Sequence, residues 1–296
     1  MSRIHDRMDQ VIKGHPYAKA TVDIACYDAL GRTLGVPVST LDWWSHARPA
    51  RGRALASYHR LWTGVSTRRN RQSPRECGQS SAKPALMANA MWPSSPVCAS
   101  DAATALKIGV DGNEGYRSVT EAIHVTLRQE EYGLLLCEQP VAAVRGLAEV
   151  AERIASPVMA DESAWTAEDV LELHEHRAAQ LLSCYVTKPG GLYRARHQAE
   201  VAATLGMECD IGGSIEMGIG NAANLHLGAS LPNAVLPSVC PVSRPRGSGG
   251  PEIAGIYYTD DIITEPFRFE DGFVLVPAGP GLGIEVDEAK LRAYAG

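Results

Sequence analysis

Short apolar runs, separated by stretches long enough for a helix, set the hydrophobic pattern of the chain between residues 105 and 188. The runs cover residues 105–110, 134–137, 157–160 and 181–187. Short apolar runs that alternate with helical segments are typical of βαβ units, and they predict a parallel sheet. The accompanying helices are predicted at residues 117–131, 144–155, 166–177 and 192–205.

Each run ends in a charged residue. The four residues are Asp111, Glu138, Asp161 and Lys188, and they follow one another after 27, 23 and 27 positions. A strand, a loop, a helix and a return loop need about that many residues. Because α/β barrels keep their chemistry at the carboxyl ends of their strands, the pattern predicts a barrel with these four groups at one end.

The pattern also predicts elements on both sides of this region. A helix is expected at residues 17–34, where Gly35 and Pro37 stop it. Further expected elements are strands at 54–57, 207–211 and 234–236, a buried helix at 217–230, a Pro/Gly/Ser linker at 243–251, and strands around Asp271 followed by a short helix in the tail.

Residues 66–101 differ from the rest because they have neither a helical nor a strand period. They are rich in Ser, Arg and Pro, and a structureless loop of this length is unusual inside a compact domain. Two explanations stay open, a disordered insertion and translation from a shifted reading frame, of which we favour the second. Both predict irregular structure.

Composition excludes several classes of protein. The 296 residues are 45% hydrophobic and 21% charged, which is enough to form a sizeable core. A net charge of −6 argues against a nucleic-acid surface, and the absence of a run of 18 apolar residues argues against a membrane span. The charged N-terminus and seven cysteines without a CxxC pair favour a reduced, cytoplasmic protein.

The strand-end residues suggest metal and proton chemistry. Three carboxylates offer the hard oxygen ligands that Mg²⁺ prefers, and a lysine beside such a site can act as an acid or a base. Lys188 precedes Gly190 and Gly191, where the backbone can approach a ligand closely. Glu216 is either an acid at the start of a helix or a substrate contact, and His226 is interpreted as a packed core histidine.

Four short motifs stand at the ends of the apolar runs: Val110–Tyr116, Cys137–Pro140, Ala160–Ser163 and Thr187–Gly191. Together they resemble the enolase superfamily, specifically its mandelate racemase/muconate lactonizing group. Residues 18–41 are similar to the last helix of that group's capping domain, and residues 280–287 are similar to its C-terminal return. Residues 188–192 and 212–217 are similar to cis-3-hydroxy-L-proline dehydratases.

The resemblance implies a modified (β/α)7β TIM-like barrel with a truncated α+β capping domain. Residues 1–45 would be the remnant of the cap, 46–245 the barrel, and 246–296 the segment that returns to the cap. The implied site has Mg²⁺ on Asp111, Glu138 and Asp161, Lys188 as an acid/base, and Asn113, Gly190 and Glu216 as substrate contacts.

The resemblance also implies a reaction, the Mg²⁺-dependent removal of a proton α to a carboxylate. A dehydratase of hydroxyproline-type substrates is expected, and a racemase, an epimerase, a cycloisomerase and an inactive remnant are the alternatives. The family's second lysine pair should lie within residues 66–101, where Lys83 stands alone. A small amino or hydroxy acid is the expected substrate, and the protein is expected to be a homo-oligomer.

Overall fold

The computed structural model describes residues 1–41, 108–214, 216–238, 260–270 and 273–296. The strand expected at 54–57, the irregular segment 66–101 and the linker 243–251 lie outside the described residues. These three remain predictions.

The helices and strands alternate in the central part of the chain. They are α1 (Ser2–Val11), α2 (Pro16–Leu34), β1 (Ile108–Asp111), α3 (Val119–Glu130), β2 (Leu134–Glu138), α4 (Val144–Arg153), β3 (Val158–Ala160), α5 (Ala167–Glu175), β4 (Leu181–Cys184), α6 (Leu192–Thr204), β5 (Glu208–Ile211), α7 (Gly218–Ser230), β6 (Phe269–Glu270), β7 (Phe273–Val274) and α8 (Glu288–Ala295). A short 3₁₀ turn, Val38–Thr40, follows α2. No described helix is both long and apolar enough to cross a bilayer.

The chain divides into two compact units. The first comprises residues 1–58, 164–171 and 181–296, and the second comprises residues 59–163 and 172–180. The organisation into a cap remnant, a barrel and a returning segment remains a prediction.

The second unit contains three parallel strands with their connecting helices. Asp111 of β1 is opposite Glu138 of β2, and Glu138 is opposite Met159 of β3. Helix α3 begins at Ser118, whose hydroxyl accepts a hydrogen bond from the backbone N–H of Glu121 (3.1 Å). This is the N-cap arrangement that stabilises the first turn of a helix. The unit therefore has the βαβαβ order that the apolar runs predict.

The first unit contains the parallel pair β4 and β5, connected by α6, and the antiparallel pair β6 and β7. Strand β5 is almost completely buried from Cys209 to Ile211. Beyond it, residues 234–236 form a single bridge from Ala234 to Cys209 rather than the expected strand. The α/β class and the parallel strands are confirmed, whereas closure into the modified barrel remains a prediction.

The end of β4 corrects the sequence interpretation. The strand was expected to run to Lys188, but it ends at Cys184. Beyond it, the backbone N–H of Val186 donates to Asn224 Oδ1 (2.9 Å), and the carbonyl of Val186 accepts from the N–H of Gly191 (2.7 Å). These bonds fold residues 185–191 into a loop, so Lys188 lies on a turn and not at a strand end.

His226 is a fully buried histidine of α7, as the sequence predicts. Its Nδ1 accepts a hydrogen bond from the N–H of Ser39 (3.2 Å), and its Nε2–H donates to the carbonyl of Leu282 (3.1 Å). Burial lowers the pKa of His226 from 6.5 to about 4, although the Leu282 carbonyl acts in the opposite direction.

A pH dependence of stability follows from this low pKa. Between pH 6.5 and pH 4 the unfolded chain binds a proton on His226 that the native protein does not, so the free energy of unfolding should fall as the pH falls. The His226 contribution to this loss is about 3 kcal/mol at pH 4. Urea unfolding at pH 7 and pH 4 should show a larger loss for the wild-type protein than for His226→Gln. An equal loss in both proteins would contradict the prediction.

Candidate active site

The three predicted metal ligands lie at the carboxyl ends of three neighbouring parallel strands in the second unit. Asp111 is the last residue of β1, Glu138 is the last residue of β2, and Asp161 directly follows β3. Asp111 and Glu138 are register partners. Glu138 is almost fully buried, whereas Asp161 is only partly buried.

Gln139, a fully buried residue that the sequence argument did not assign, connects these strand ends. Its Oε1 accepts hydrogen bonds from the N–H of Asp161 (2.9 Å) and from the Ser163 hydroxyl (2.9 Å), and its carbonyl accepts from the N–H of Glu114 (2.8 Å). Its φ is +30°, which is uncommon outside glycine. The signal available in the sequence was the position of this amide directly after the predicted ligand Glu138.

Asn113 donates two hydrogen bonds to the carboxylate of Asp111. Its backbone N–H donates to Asp111 Oδ1 (2.8 Å), and its side-chain amide donates to Oδ2. Asn113 and Glu114 have φ values of +43° and +56°. Positive φ at two successive non-glycine residues is a conformation that tends to occur at functional sites. In this arrangement Asn113 orients Asp111.

Negative charge accumulates around these residues. Burial, followed by the charges of Asp161, Asp111 and Glu114, raises the pKa of Glu162 to about 7. Burial also raises the pKa of the Cys137 thiol to about 11, with further contributions from Asp111 and Glu138. A divalent cation would relieve such crowding.

The donor chemistry of the three carboxylates therefore fits Mg²⁺. In their described positions, however, no three His, Cys, Asp or Glu side chains among the described residues are arranged around a common ion position. Asp111 uses both oxygens to accept from Asn113, so it would have to exchange at least one of these bonds for an ion.

Lys188 is buried in the first unit, with 1% of its surface exposed. Its Nζ donates to the carbonyl of Ser183 (2.8 Å) and lies 4.6 Å from the centre of the Tyr185 ring. Burial raises the pKa of the Cys184 thiol to about 12, and the charge of Lys188 acts in the opposite direction. The ammonium group thus lies close to β4, even though its backbone is on the following turn.

Tyr185 holds the position on β4 that the sequence argument gave to Lys188. It directly follows Cys184, in the same way that Asp161 directly follows β3. The Tyr185 ring is 6% exposed and packs beside Gly212, where an added Cβ would lie 3.1 Å from the ring.

Glu216 and the Lys188 loop are connected through Thr187. The Thr187 hydroxyl donates to Glu216 Oε1 (2.6 Å), and the N–H of Ser214 donates to Oε2 (2.6 Å). Thr187 and Glu216 line a cavity of about 450 Å³ whose other walls come from α2, α7 and residues 282–286. Gly190 has a φ of +105°, so the turn itself requires glycine there.

The fold and the strand-end residues together define an α/β protein whose acidic groups collect at the carboxyl ends of parallel strands. Residues 98–290 match the family described as "Enolase C-terminal domain-like". The match covers well over half of the 296 residues, and the chain belongs to this enolase-superfamily family.

The relatives of the chain are enzymes. The chain is 30% identical to muconate cycloisomerase 1 of Rhodococcus opacus over 306 aligned positions, which cover 97% of this chain and 74% of the relative. It is 38% identical to the N-succinylamino acid racemase of Amycolatopsis sp over 177 positions, or 59% of this chain and 44% of the relative. The crystal structure of 2-chloromuconate cycloisomerase from Rhodococcus opacus 1CP matches 98% of this chain and 77% of its own, with a TM-score of 0.72 at 25% identity.

Proposed function

We propose that the chain is an Mg²⁺-dependent lyase or isomerase that removes a proton α to the carboxylate of a small acid. The observation that carries the proposal is the set of carboxylates at the ends of three successive parallel strands, with Asp111 and Glu138 in register. Membership of the enolase-superfamily family supports this reading.

Asp111, Glu138 and Asp161 would hold the ion. When bound, Mg²⁺ supplies positive charge against the negative charge that develops on the substrate carboxylate. Asn113 orients Asp111 through two hydrogen bonds, and Gln139 fixes the backbone at Asp161.

Lys188 would transfer the proton at its Nζ. Its Nζ lies 4.6 Å from the centre of the Tyr185 ring, which is within the range of a cation–π contact. The carbonyl of Ser183 holds the amine in one orientation. Gly190 and Glu216 would contact the substrate, and Glu216 also holds Thr187 beside Lys188.

Lys188 is the acid/base that we propose among the described residues, and one such group favours one-sided reactions over racemisation, because inverting a carbon by proton transfer needs a group on each face. Elimination of a β-hydroxyl group, as in a hydroxyproline dehydratase, needs one base that then assists the leaving group. Cycloisomerisation, the reaction in the name of a relative, needs one proton transfer to carbon. We therefore propose a dehydratase or a cycloisomerase, with racemisation as the alternative that the Amycolatopsis relative supports.

The test is a substrate panel in D₂O with and without Mg²⁺, followed by proton NMR. cis,cis-Muconate reports cyclisation, an N-succinylamino acid reports α-proton exchange, and cis-3-hydroxy-L-proline reports loss of water. L-Proline is the matched control, because it has the same α-proton without a leaving group. Mg²⁺-dependent turnover of any of the three acids supports the proposal. If none reacts, and Mg²⁺ does not raise the melting temperature, the chain is an inactive remnant of the fold.

A further inference from the structure

Asp23 of α2 accepts a hydrogen bond from Leu192, the residue that directly follows the Lys188 loop. The N–H of Leu192 donates to Asp23 Oδ1 (2.6 Å). The preceding residue, Gly191, has a φ of +127°, and a Cβ there would collide with the Asp23 side chain. The loop and the aspartate therefore fit each other closely, and the fit requires glycine at position 191.

His5 of α1 holds the other oxygen of the same carboxylate. Its Nε2–H donates to Asp23 Oδ2 (2.7 Å), and its ring stacks on Tyr193 with the centroids 5.2 Å apart. His5 is 2% exposed and Asp23 is fully buried. A buried carboxylate is costly unless both of its oxygens are hydrogen-bonded, so His5 and the Leu192 N–H together keep Asp23 in place.

These contacts fix one end of the loop that carries Lys188. The loop is closed by the bond from the Gly191 N–H to the Val186 carbonyl, and its other end is held by Asn224 at the Val186 N–H. Lys188 lies between the two fixed points. We propose that Asp23, oriented by His5, is a positioning residue that sets the place of Lys188. The inference rests on the proposed role of Lys188 in proton transfer.

Asp28 lies five residues after Asp23 on α2 and makes the same kind of contact with the C-terminal segment of the chain. Its Oδ1 accepts from the N–H of Leu282 (2.8 Å), and the preceding Gly281 has a φ of +70° and could not carry a Cβ without colliding with Asp28. Leu282 belongs to the C-terminal segment, which lines the cavity beside Glu216 but contains no residue of the Lys188 loop. Asp28→Ala is therefore a matched control, because it removes the same chemistry from the same helix without touching the Lys188 loop.

The first experiment does not depend on activity. In Asp23→Ala the backbone amide of Leu192 should exchange with D₂O at least about tenfold faster, since a hydrogen bond to a charged group is lost. The side-chain NMR signal of Lys188 should shift as well. In Asp28→Ala the amide of Leu282 should exchange faster, while Leu192 and Lys188 keep their wild-type values. An unchanged Lys188 signal in Asp23→Ala, or the same response in both variants, would overturn the inference.

The second experiment measures turnover of whichever panel acid reacts. Asp23→Ala should lower kcat by about tenfold to hundredfold with little change in KM, because the base is displaced while the ligands of the ion are untouched. His5→Gln, which keeps an N–H donor, should retain more of kcat than His5→Leu. If Asp23→Ala does not fold, Asp23→Asn is measured instead. Asparagine has one acceptor oxygen where the carboxylate has two, so it weakens the contacts with the Leu192 N–H and His5 while keeping the size of the side chain. An unchanged kcat together with faster Leu192 exchange would overturn the inference.

The two experiments separate the inference from the proposed function. If the wild-type protein turns over none of the acids and Mg²⁺ does not raise its melting temperature, the proposed function fails. The NMR comparison of Asp23→Ala with Asp28→Ala then decides alone whether Asp23 places Lys188.

Discussion

Replacing Lys188 by methionine should lower the Mg²⁺-dependent exchange of the substrate α-proton by about 10²–10⁴-fold, the usual contribution of a positioned acid or base. Methionine keeps an unbranched side chain in a site that is 1% exposed, so the variant removes the amine with little loss of packing. It does leave the carbonyl of Ser183 without the lysine donor, which costs about 1–3 kcal/mol of stability. Exchange is therefore measured well below the melting temperature of the variant.

Two further variants assign the effect to the amine. Lys13→Ala removes an exposed lysine and should leave exchange unchanged. Tyr185→Phe keeps the ring beside the ammonium and removes the hydroxyl, so it should retain most of the activity if Lys188 alone transfers the proton. Full exchange in Lys188→Met combined with its loss in Tyr185→Phe would transfer the role to the tyrosine, which holds the strand-end position on β4.

The strand ends that carry the three proposed metal ligands could be predicted from the sequence because their determinants are local. Strands β1, β2 and β3 end within one residue of the ends of their apolar runs, and the last residues of these runs, Val110, Cys137 and Ala160, are buried. The carboxylates follow directly, and parallel pairing then brings them to one edge. The conformations that hold them, such as the positive φ of Gln139 and the two bonds from Asn113 to Asp111, depend on contacts that no apolar pattern records.

The end of β4 could not be predicted in the same way. Tyr185 and Val186 are apolar and buried, so the run continues beyond the strand. The strand ends because the N–H of Val186 donates its hydrogen bond to the side chain of Asn224 on α7 and not to a neighbouring strand. Asn224 is 38 positions further along the chain. A hydrogen-bond partner so distant in sequence leaves no periodic signal near residue 186, and the lysine was consequently placed at a strand end.

Helix α1 was missed for a related reason. Its sequence carries few apolar residues, and it is attached to the rest of its unit by polar contacts. Asp9 accepts from Lys19 (2.6 Å) and also binds Arg194, and His5 reaches Asp23 (2.7 Å). Tertiary hydrogen bonds and ion pairs hold this helix in place, whereas prediction of a helix from sequence depends on a recurring apolar face.

Mg²⁺ should raise the melting temperature of the protein, and Glu138→Gln should abolish most of that rise along with activity. Glu138 is almost fully buried between Asp111 and β3, so its carboxylate is the member of the trio with the least access to water. A ligand that binds the native state alone stabilises it by about 2.7 kcal/mol at a hundredfold excess over Kd. Losing one of three charged ligands should raise Kd enough to remove most of this effect at the same Mg²⁺ concentration.

Without Mg²⁺, Glu138→Gln is no longer expected to melt at a lower temperature than the wild type. Glu138 is the register partner of Asp111, and Asp161 follows the next strand, so the uncharged glutamine at position 138 should relieve repulsion among these carboxylates and leave the metal-free protein at least as stable as wild type. Glu131→Gln makes the same charge change at an exposed position after α3, and it should keep the full response to Mg²⁺. Thermal unfolding of the wild type and both variants, without Mg²⁺ and with saturating Mg²⁺, measures the six melting temperatures. A Mg²⁺ response that is equal in Glu138→Gln and Glu131→Gln would place the ion elsewhere, because a surface charge and a buried strand-end carboxylate cannot contribute equally to one coordination sphere.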